Sequence, residues 1–259
     1  MIHLDNLKVS YGERLILSID KKDFTEGSVT AILGKNGCGK TTFLKAIAGN
    51  LAYRGKIEVD GKELSEIPFA KKARIIGYLP QAVVRADMTV SMLVAHGRFP
   101  WKNFPRKLDD KDLQIINDAM NTVGISSLAE KNLKEISGGE LKLSYLAMLL
   151  AQDTKVLLLD EPEASLDVCH QEKLYDVLKN LAGQGRIVLH TSHDVVKSVN
   201  YSDRICVIDK GSIALDGAPD IIAKEKVRLY DAMGVAVTGA KQDDSLYKYI
   251  YGKVNGKMV

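Results

Sequence analysis

The stretch GKNGCGKT at residues 34–41 decides the fold of this chain. Its spacing, G-x-x-x-x-G-K-T, is typical of a loop whose backbone N–H groups surround phosphate. An apolar run, VTAIL at residues 29–33, precedes it, and a helical pattern over residues 42–48 follows it. This strand–loop–helix order is the context that such a loop requires, and it disfavours the alternative of a glycine-rich turn with a chance Lys-Thr. The stretch therefore predicts a binding site for a nucleoside triphosphate.

Each residue type in this loop has a physical task. The helix N-terminus adds partial positive charge to the converging N–H groups. Lys40 supplies a positive charge for the β and γ phosphates, and the Thr41 hydroxyl is a ligand for Mg²⁺. We therefore expect the triphosphate to contact the loop and the residue after it: Gly34, Lys35, Asn36, Gly37, Cys38, Gly39, Lys40, Thr41 and Thr42.

Length and composition are those of an ordinary globular protein. The 259 residues are 46% hydrophobic and 27% charged, which gives an ample core. A net charge of +3 is too small to indicate nucleic-acid binding. The scattered cysteines favour neither disulfides nor a metal site, and they fit a reducing, cytosolic compartment. We expect neither a signal peptide nor a membrane helix, so work at a membrane would need a partner that holds the protein there.

Strand patterns occur at the N-terminus and again through the second half of the chain. Alternation over residues 2–9, with further short patterns over 15–19 and 55–61, predicts an antiparallel β subdomain. The apolar run VLLL at residues 156–159 predicts a parallel strand buried on both faces. Because helical patterns separate the later strands, we predict an α/β fold with a mostly parallel sheet.

Only helical patterns fill the stretch between Gln81 and Ala151. One of them, over residues 110–123, places Leu113, Ile116, Ala119, Met120 and Val123 on a single face. This stretch predicts a helical subdomain inserted into the core. We therefore expect a single domain over 1–259, with an α/β core over 1–80 and 155–259 and a helical insertion over 82–152.

Asp160 and Glu161 directly follow the VLLL run. Ligands of open α/β sheets bind beyond the carboxyl ends of the strands. Asp160 is therefore a candidate ligand for Mg²⁺, and Glu161 is a candidate to orient or deprotonate a water. His193 ends another predicted strand and is a candidate to contact the γ-phosphate or that water. A capping or core histidine is its structural alternative, as a helix-cap cluster is for the acidic pair.

A second anion site is predicted at ISGGE, residues 136–140. Ser137, Gly138 and Gly139 open a helix and bare its backbone N–H groups. One triphosphate does not need two such sites from one chain, so we infer that these residues complete the pocket of a second copy. A simple helix cap with a flexible turn is the alternative that remains open.

In combination, these motifs resemble those of the ATP-binding cassette (ABC) ATPases over nearly the whole chain. Residues 34–41 resemble the Walker A loop, residues 156–161 the Walker B motif, and residues 136–140 the family signature. The resemblance extends to Gln81 in the Q-loop, Asp167 in the D-loop and His193 as the switch histidine. It also implies that the ring of Tyr11 stacks on adenine.

The resemblance implies a P-loop NTPase fold and ATP hydrolysis with Mg²⁺. It gives catalytic roles to Lys40, Gln81, Glu161 and His193, places Thr41, Gln81 and Asp160 at the metal, and adds Asp167 to the nucleotide contacts. It further implies a head-to-tail homodimer that encloses two ATP molecules, each between one Walker loop and the signature of the mate. Permease subunits would hold this dimer at the cytoplasmic face of the membrane and would receive cargo from a substrate-binding protein.

Shorter segments narrow the resemblance. GRFPW at residues 97–101, AMLLAQD at 147–153 and DVCHQ at 167–171 are similar to segments in importers of ferric siderophores, haem and cobalamin. The alternatives are an importer for zinc or manganese and a soluble ABC ATPase. For GRFPW itself, the structural alternative is an ordinary aromatic loop.

Two segments depart from the family pattern. Leu141, Lys142 and Leu143 follow the signature where the family usually has Gln-Arg, which puts the usual bracing of this helix in question. Glu163 and Ala164 stand where Thr-Ser is common.

Overall fold

A computed structural model describes residues 1–243, 246–251, 253–254 and 257–258. The strands in chain order are β1 (Ile2–Tyr11), β2 (Arg14–Phe24), β3 (Ser28–Leu33), β4 (Arg54–Val59), β5 (Lys62–Glu63), β6 (Ile76–Leu79), β7 (Val156–Leu159), β8 (Ile187–Thr191), β9 (Arg204–Asp209), β10 (Ser212–Gly217), β11 (Val237–Asp243), β12 (Leu246–Tyr251), β13 (Lys253–Val254) and β14 (Lys257–Met258). The α-helices are α1 (Lys40–Ile47), α2 (Phe69–Ile75), α3 (Val90–Ala95), α4 (Asp110–Val123), α5 (Gly138–Ala151), α6 (Val168–Gly183), α7 (Val195–Tyr201), α8 (Pro219–Lys224) and α9 (Lys226–Met233). Short 3-10 helices lie at Leu64–Glu66, His96–Trp101 and Ser126–Leu128.

The central sheet has the strand order β10-β9-β3-β8-β7-β6. All of its neighbouring pairs are parallel except β10–β9, which confirms the predicted α/β fold. The position of β7 inside this sheet, between β8 and β6, explains why its sequence is apolar without alternation. Val156 and Leu158 belong to one apolar core, whereas Leu157 and Leu159 belong to the core on the opposite face of the sheet.

The smaller sheet is antiparallel, with the order β2-β1-β4-β5. On β1, the side chains that face the core are Ile2, Leu4, Leu7 and Val9. The spacing of these residues skips one position at Asn6, which has a positive φ of 49°. This local twist returns Leu7 to the buried face, and the sheet packs its apolar side over α1 in the same core.

Helices α3, α4 and α5 pack around a shared apolar cluster. Helix α4 has the predicted bounds, but the prediction that Leu113 belongs to its buried face is wrong, because Leu113 is 48% exposed. Asp112 is buried beside it at 2% exposure, where Arg98 donates to its carboxylate at 3.0 Å and Lys102 forms an ion pair with it. Burial alone would raise the pKa of Asp112, but hydrogen bonds from Lys102, the Asp109 amide and Arg98 hold it well below its usual range.

The GRFPW segment is a 3-10 helix that lies against the end of α5. A Cβ atom on Gly97 would stand 2.3 Å from the Met148 carbonyl oxygen, so only glycine permits this close approach. Trp101 donates its indole N–H to the Gln152 carbonyl at 2.8 Å. Arg74, at the end of α2, donates to the Pro100 carbonyl at 2.6 Å. The segment therefore connects the helical region to α2 of the core.

Neither α2 nor the β11–β12 hairpin is predicted from the sequence pattern. Residues 244–245, 252, 255–256 and 259 lie outside the described residues, so the predicted core range over 155–259 is described only in part. No helix among the described residues combines the length and apolar character needed to cross a bilayer.

Candidate functional site

The phosphate loop lies between β3 and α1, at the carboxyl edge of the central sheet. Close packing fixes its first residue, because a Cβ atom on Gly34 would stand 2.4 Å from the Ile208 carbonyl oxygen and from the Cys38 sulfur. Gly39 precedes the helix with a φ of 113°, which a side chain would disfavour. Cys38 is buried under the loop, and this burial raises the pKa of its thiol. Its side chain therefore packs in the core.

Lys40 is only 7% exposed, and its ammonium is held by the loop itself. Its Nζ atom donates to the Gly34 carbonyl at 2.7 Å and to the Lys35 carbonyl at 3.4 Å. A buried ammonium with carbonyl partners can exchange them for a stronger anionic partner. The side chain of Lys35 instead points away and donates to the Asp231 carbonyl at 3.1 Å.

Lys40 belongs to a cleft of about 680 Å³. The residues that line it are Tyr11, Arg14, Ile16, Asn36, Gly37, Gly39, Lys40, Thr41, Thr42, Gln81, Glu161 and His193. The cleft thus brings together most of the residues predicted at the nucleotide. Arg14 and Ile16 are additions that no sequence motif indicated, and their place follows from the pairing of β1 with β2, in which Arg14 faces Tyr11.

Asp160 is almost fully buried, at 1% exposure. One carboxylate oxygen accepts a hydrogen bond from the Thr191 hydroxyl at 2.7 Å, and the other accepts a longer one from the Tyr78 hydroxyl at 3.4 Å. Thr191 also accepts a bond from the Glu161 amide at 2.8 Å. Burial and then the nearby Asp160 charge raise the pKa of Tyr78, so the phenol stays protonated as a donor. No sequence motif indicated Thr191, because a threonine in a strand carries no distinctive signal.

Three candidate catalytic side chains meet at the Glu161 carboxylate. Gln81 donates its amide to one carboxylate oxygen at 2.7 Å, and His193 contacts the other oxygen through Nε2. Glu161 has a positive φ of 47°, a backbone conformation that side chains tolerate poorly and that is often found at functional sites. The carboxylate stands at the same cleft as Lys40, where it can orient a water beside bound phosphate.

Ser137, Gly138, Gly139 and Asp167 line a different cleft, of about 580 Å³. Ser137 accepts a hydrogen bond from the Glu140 amide at 3.2 Å, while Glu140 accepts one from the Ser137 amide at 2.7 Å. This reciprocal capping box shows that the structural alternative for this motif, a helix cap, is present. Among the described residues the two clefts share no lining residue, so one chain does not bring Ser137 to Lys40.

Asp167 caps α6 and stays at this second cleft. It accepts hydrogen bonds from the backbone N–H of His170 at 2.9 Å and shares one with the His170 ring at 2.8 Å. The amide bond first, and then the ring, lower the pKa of Asp167. Asp167 therefore carries a negative charge beside Ser137, and the structure places this predicted nucleotide contact at the second cleft, not at the phosphate loop.

Comparisons with known proteins point to one family. The family model described as ABC transporter matches residues 8–164. The chain is 37% identical over 233 residues to the hemin import ATP-binding protein HmuV of Nocardia farcinica, which covers 86% of this chain and 80% of that protein. It is 33% identical over 227 residues to the iron(3+)-hydroxamate import ATP-binding protein FhuC of Bacillus subtilis, with 84% of each covered. An inward-facing structure of a putative metal-chelate type ABC transporter is similar with a TM-score of 0.81 and 25% identity, covering 97% of each chain.

Proposed function

The chain belongs to the ABC transporter family, and on that premise we propose that it hydrolyses ATP to power import of an iron chelate, haem or cobalamin. The observation that carries hydrolysis is the meeting of Gln81, Glu161 and His193 at the cleft that holds Lys40. The cargo class is supported by two similar proteins, which are ATP-binding proteins for the import of hemin and of iron(3+)-hydroxamate.

We assign the chemical steps to side chains of one cleft. Lys40 exchanges the Gly34 carbonyl for the β and γ phosphates, where its charge stabilises the transferred phosphoryl group. Glu161 accepts hydrogen bonds from Gln81 and His193 and orients the attacking water. Tyr11, which is exposed at the rim of the cleft, stacks on adenine.

Residues that line this cleft, together with the buried Asp160 directly before Glu161, suit Mg²⁺. The described part of the chain has no cluster of His, Cys, Asp or Glu that could hold a metal ion by itself. Thr41, Gln81 and Asp160 offer oxygen ligands that include a single carboxylate, and Mg²⁺ is commonly held by few carboxylates together with substrate phosphates. When bound, the ion supplies positive charge to the β and γ phosphates.

The second cleft supports a homodimer. We propose that Ser137, Gly138 and Gly139 of one copy complete the nucleotide pocket of the other, because one chain keeps its two clefts apart.

A mixture of two inactive variants tests this homodimer. Lys40→Ala disables the first cleft and Ser137→Arg disables the second. An equal mixture of these inactive chains should regain up to about a quarter of the wild-type rate, since a two-fold mixed dimer has one intact pocket.

A control mixture, in which both variants carry a defect in the first cleft, tests whether the recovered rate comes from a mixed dimer with one intact pocket. Lys40→Ala and Glu161→Gln both disable the first cleft, so their mixture leaves no intact pocket and should stay inactive. If the mixture with Ser137→Arg also stays inactive while ATP still drives the chains to associate, the head-to-tail pocket is wrong.

We propose that a permease binds the exposed apolar side chains around the Q-loop. Val84 lies just after Gln81, Phe69 begins α2, and Trp101 ends the 3-10 helix that Arg74 joins to α2. The permease would hold the protein at the cytoplasmic face of the membrane and accept cargo from a substrate-binding protein. Val84→Glu should abolish co-purification with the permease and leave ATP affinity unchanged; retained co-purification would contradict this surface.

Transport assays decide the cargo. The subunit and its permease, reconstituted in vesicles, should move a labelled ferric chelate, haem or cobalamin in an ATP-dependent manner that Glu161→Gln abolishes. Transport of zinc or manganese alone would overturn the cargo class without affecting the proposed ATPase.

A further inference from the structure

Lys142 connects the signature helix to the Q-loop. It lies on α5, five residues after Ser137, and is only 3% exposed. Its Nζ atom donates to the carbonyl oxygens of Pro80 and Gln81, at 3.0 Å in each case. The departure from the family pattern at this position therefore places a buried cation against the main chain that carries Gln81.

The position of this cation is costly and is compensated by the hydrolytic site. Burial lowers the pKa of Lys142, and the charges of Asp160, Glu163 and Glu161 oppose that shift. Glu163, the other departure from the family pattern, is itself largely buried beside this group, and burial raises its pKa. A buried lysine is retained only where its hydrogen bonds and neighbouring carboxylates offset desolvation. These partners all belong to the Q-loop or to the segment of Asp160 and Glu161.

We propose that Lys142 is a positioning residue for hydrolysis, because it fixes the Gln81 backbone and so presents the Gln81 amide to Glu161. The geometry is a short relay from the Lys142 ammonium to the Gln81 carbonyl, and from the Gln81 amide to the Glu161 carboxylate at 2.7 Å. This inference rests on the proposed catalytic role of Glu161 and Gln81.

The same loop has other anchors, and one of them provides a matched control. Tyr145, one turn later on α5, donates its hydroxyl to the Val84 carbonyl at 2.8 Å. Arg85 donates to the Ile136 carbonyl at 2.5 Å, just before the signature. These bonds hold the loop beyond Gln81, so only Lys142 contacts the main chain at the catalytic glutamine itself among the described hydrogen bonds.

The test compares Lys142→Met with Tyr145→Phe in the full chain. Methionine is unbranched like lysine and one atom shorter, and it removes the donor and the charge. We expect kcat for ATP to fall about tenfold in Lys142→Met with KM within about twofold, because the substrate contacts remain. Tyr145→Phe removes one hydrogen bond to the same loop and should leave kcat within about twofold.

A double-variant cycle separates positioning from loss of structure. In a Gln81→Ala background, Lys142→Met should lower kcat no further, because the side chain through which it acts is gone. The inference is overturned if Lys142→Met lowers kcat by the same factor in both backgrounds, or by no more than Tyr145→Phe does. Should Lys142→Met fail to fold, Lys142→Leu, which also removes the donor and the charge, enters the same cycle with the same criteria.

ATP hydrolysis by Glu161→Gln tests the proposed hydrolytic function separately from the role of Lys142. Undiminished hydrolysis in Glu161→Gln would refute the proposed hydrolytic site. An inactive Glu161→Gln together with a normal Lys142→Met would refute only the role of Lys142.

Discussion

The two clefts of this chain differ in how their functional groups are held. In the first, Lys40 is buried and bonded to its own loop, and Asp160, directly before the cleft residue Glu161, is buried and bonded to Thr191 and Tyr78. In the second, Ser137 and Asp167 are exposed helix caps, bonded within their own helices. The chemical groups are thus preorganised within one copy, and the exposure of the second cleft fits its proposed closure on another copy. Variants of the two clefts should therefore separate catalysis from closure.

The largest effect is expected for Lys40→Ala. Removing the ammonium leaves the phosphate charge without its buried partner, so kcat/KM for ATP should fall by a factor on the order of 10³. Lys45→Ala, at a partly exposed position of the same helix that does not line the cleft, is the control and should bind ATP normally. Equal ATP affinity in the two variants, measured by titration calorimetry, would show that the first cleft does not hold the triphosphate.

Glu161→Gln should separate the functions of the two clefts, because it stops ATP hydrolysis and still permits two copies to associate on ATP. The amide cannot accept a proton, so kcat should fall by about 10²-fold or more with ATP affinity within a few-fold. Saturating ATP should then hold two copies together, and light scattering should report twice the monomer mass. A persistent monomer under these conditions would mean that the second cleft does not close over the first.

The scaffold of the first cleft should make the protein sensitive to acid. His190 on β8 is completely buried beside Ser202, and burial lowers its pKa to about 4 from 6.5. The unfolded chain binds the proton first, so this contribution to stability is full above pH 6.5 and is lost as the pH falls towards 4. At pH 5 the loss should be about 2 kcal/mol relative to pH 7.5.

Urea unfolding of the wild type and of His190→Gln at pH 7.5 and pH 5 measures how much His190 contributes to the pH dependence of the free energy of unfolding. The glutamine variant should lose less stability between pH 7.5 and pH 5 than the wild type does. An identical pH dependence in both proteins would mean that His190 does not titrate across this range.

The smallest effect is expected for Tyr11→Ala. Loss of the stacked ring should weaken ATP binding by about 1 kcal/mol and leave the binding of inorganic triphosphate unchanged. The side chain is exposed, so the melting temperature should hardly change. Equal losses for the two ligands would show that the ring does not face the base, and that the first cleft orients the nucleotide differently.

The sequence predicted the elements whose pattern is local. The phosphate loop needs its glycines because of the packing at Gly34, and β7 needs continuous apolar residues because both of its faces are covered. Helix α2 was missed because it buries none of its residues and therefore has no apolar stripe. Leu113 was misplaced because Arg98 and Lys102, which lie in the segment before α4, draw Asp112 inward instead.

The residues of the candidate site also differ in whether a local sequence pattern predicts them. Lys40, Glu161 and His193 stand in motifs that spacing reveals, and the structure brings them to one cleft. The role of Lys142 was not visible, because the burial of a lysine depends on the carbonyl groups that a remote loop brings to it. The roles of the individual residues remain predictions for the variants above.

Trp101 is the one tryptophan of the sequence, and it stands at the seam between α2 and α5. Its indole is hydrogen-bonded to Gln152, and the guanidinium groups of Arg74 and Arg98 lie 5.4 Å and 5.6 Å from the ring. The side chain is still 39% exposed, so both solvent and neighbouring charge influence its emission. The protein thus carries a built-in fluorophore, and its spectrum can follow subunit assembly in real time without any added dye.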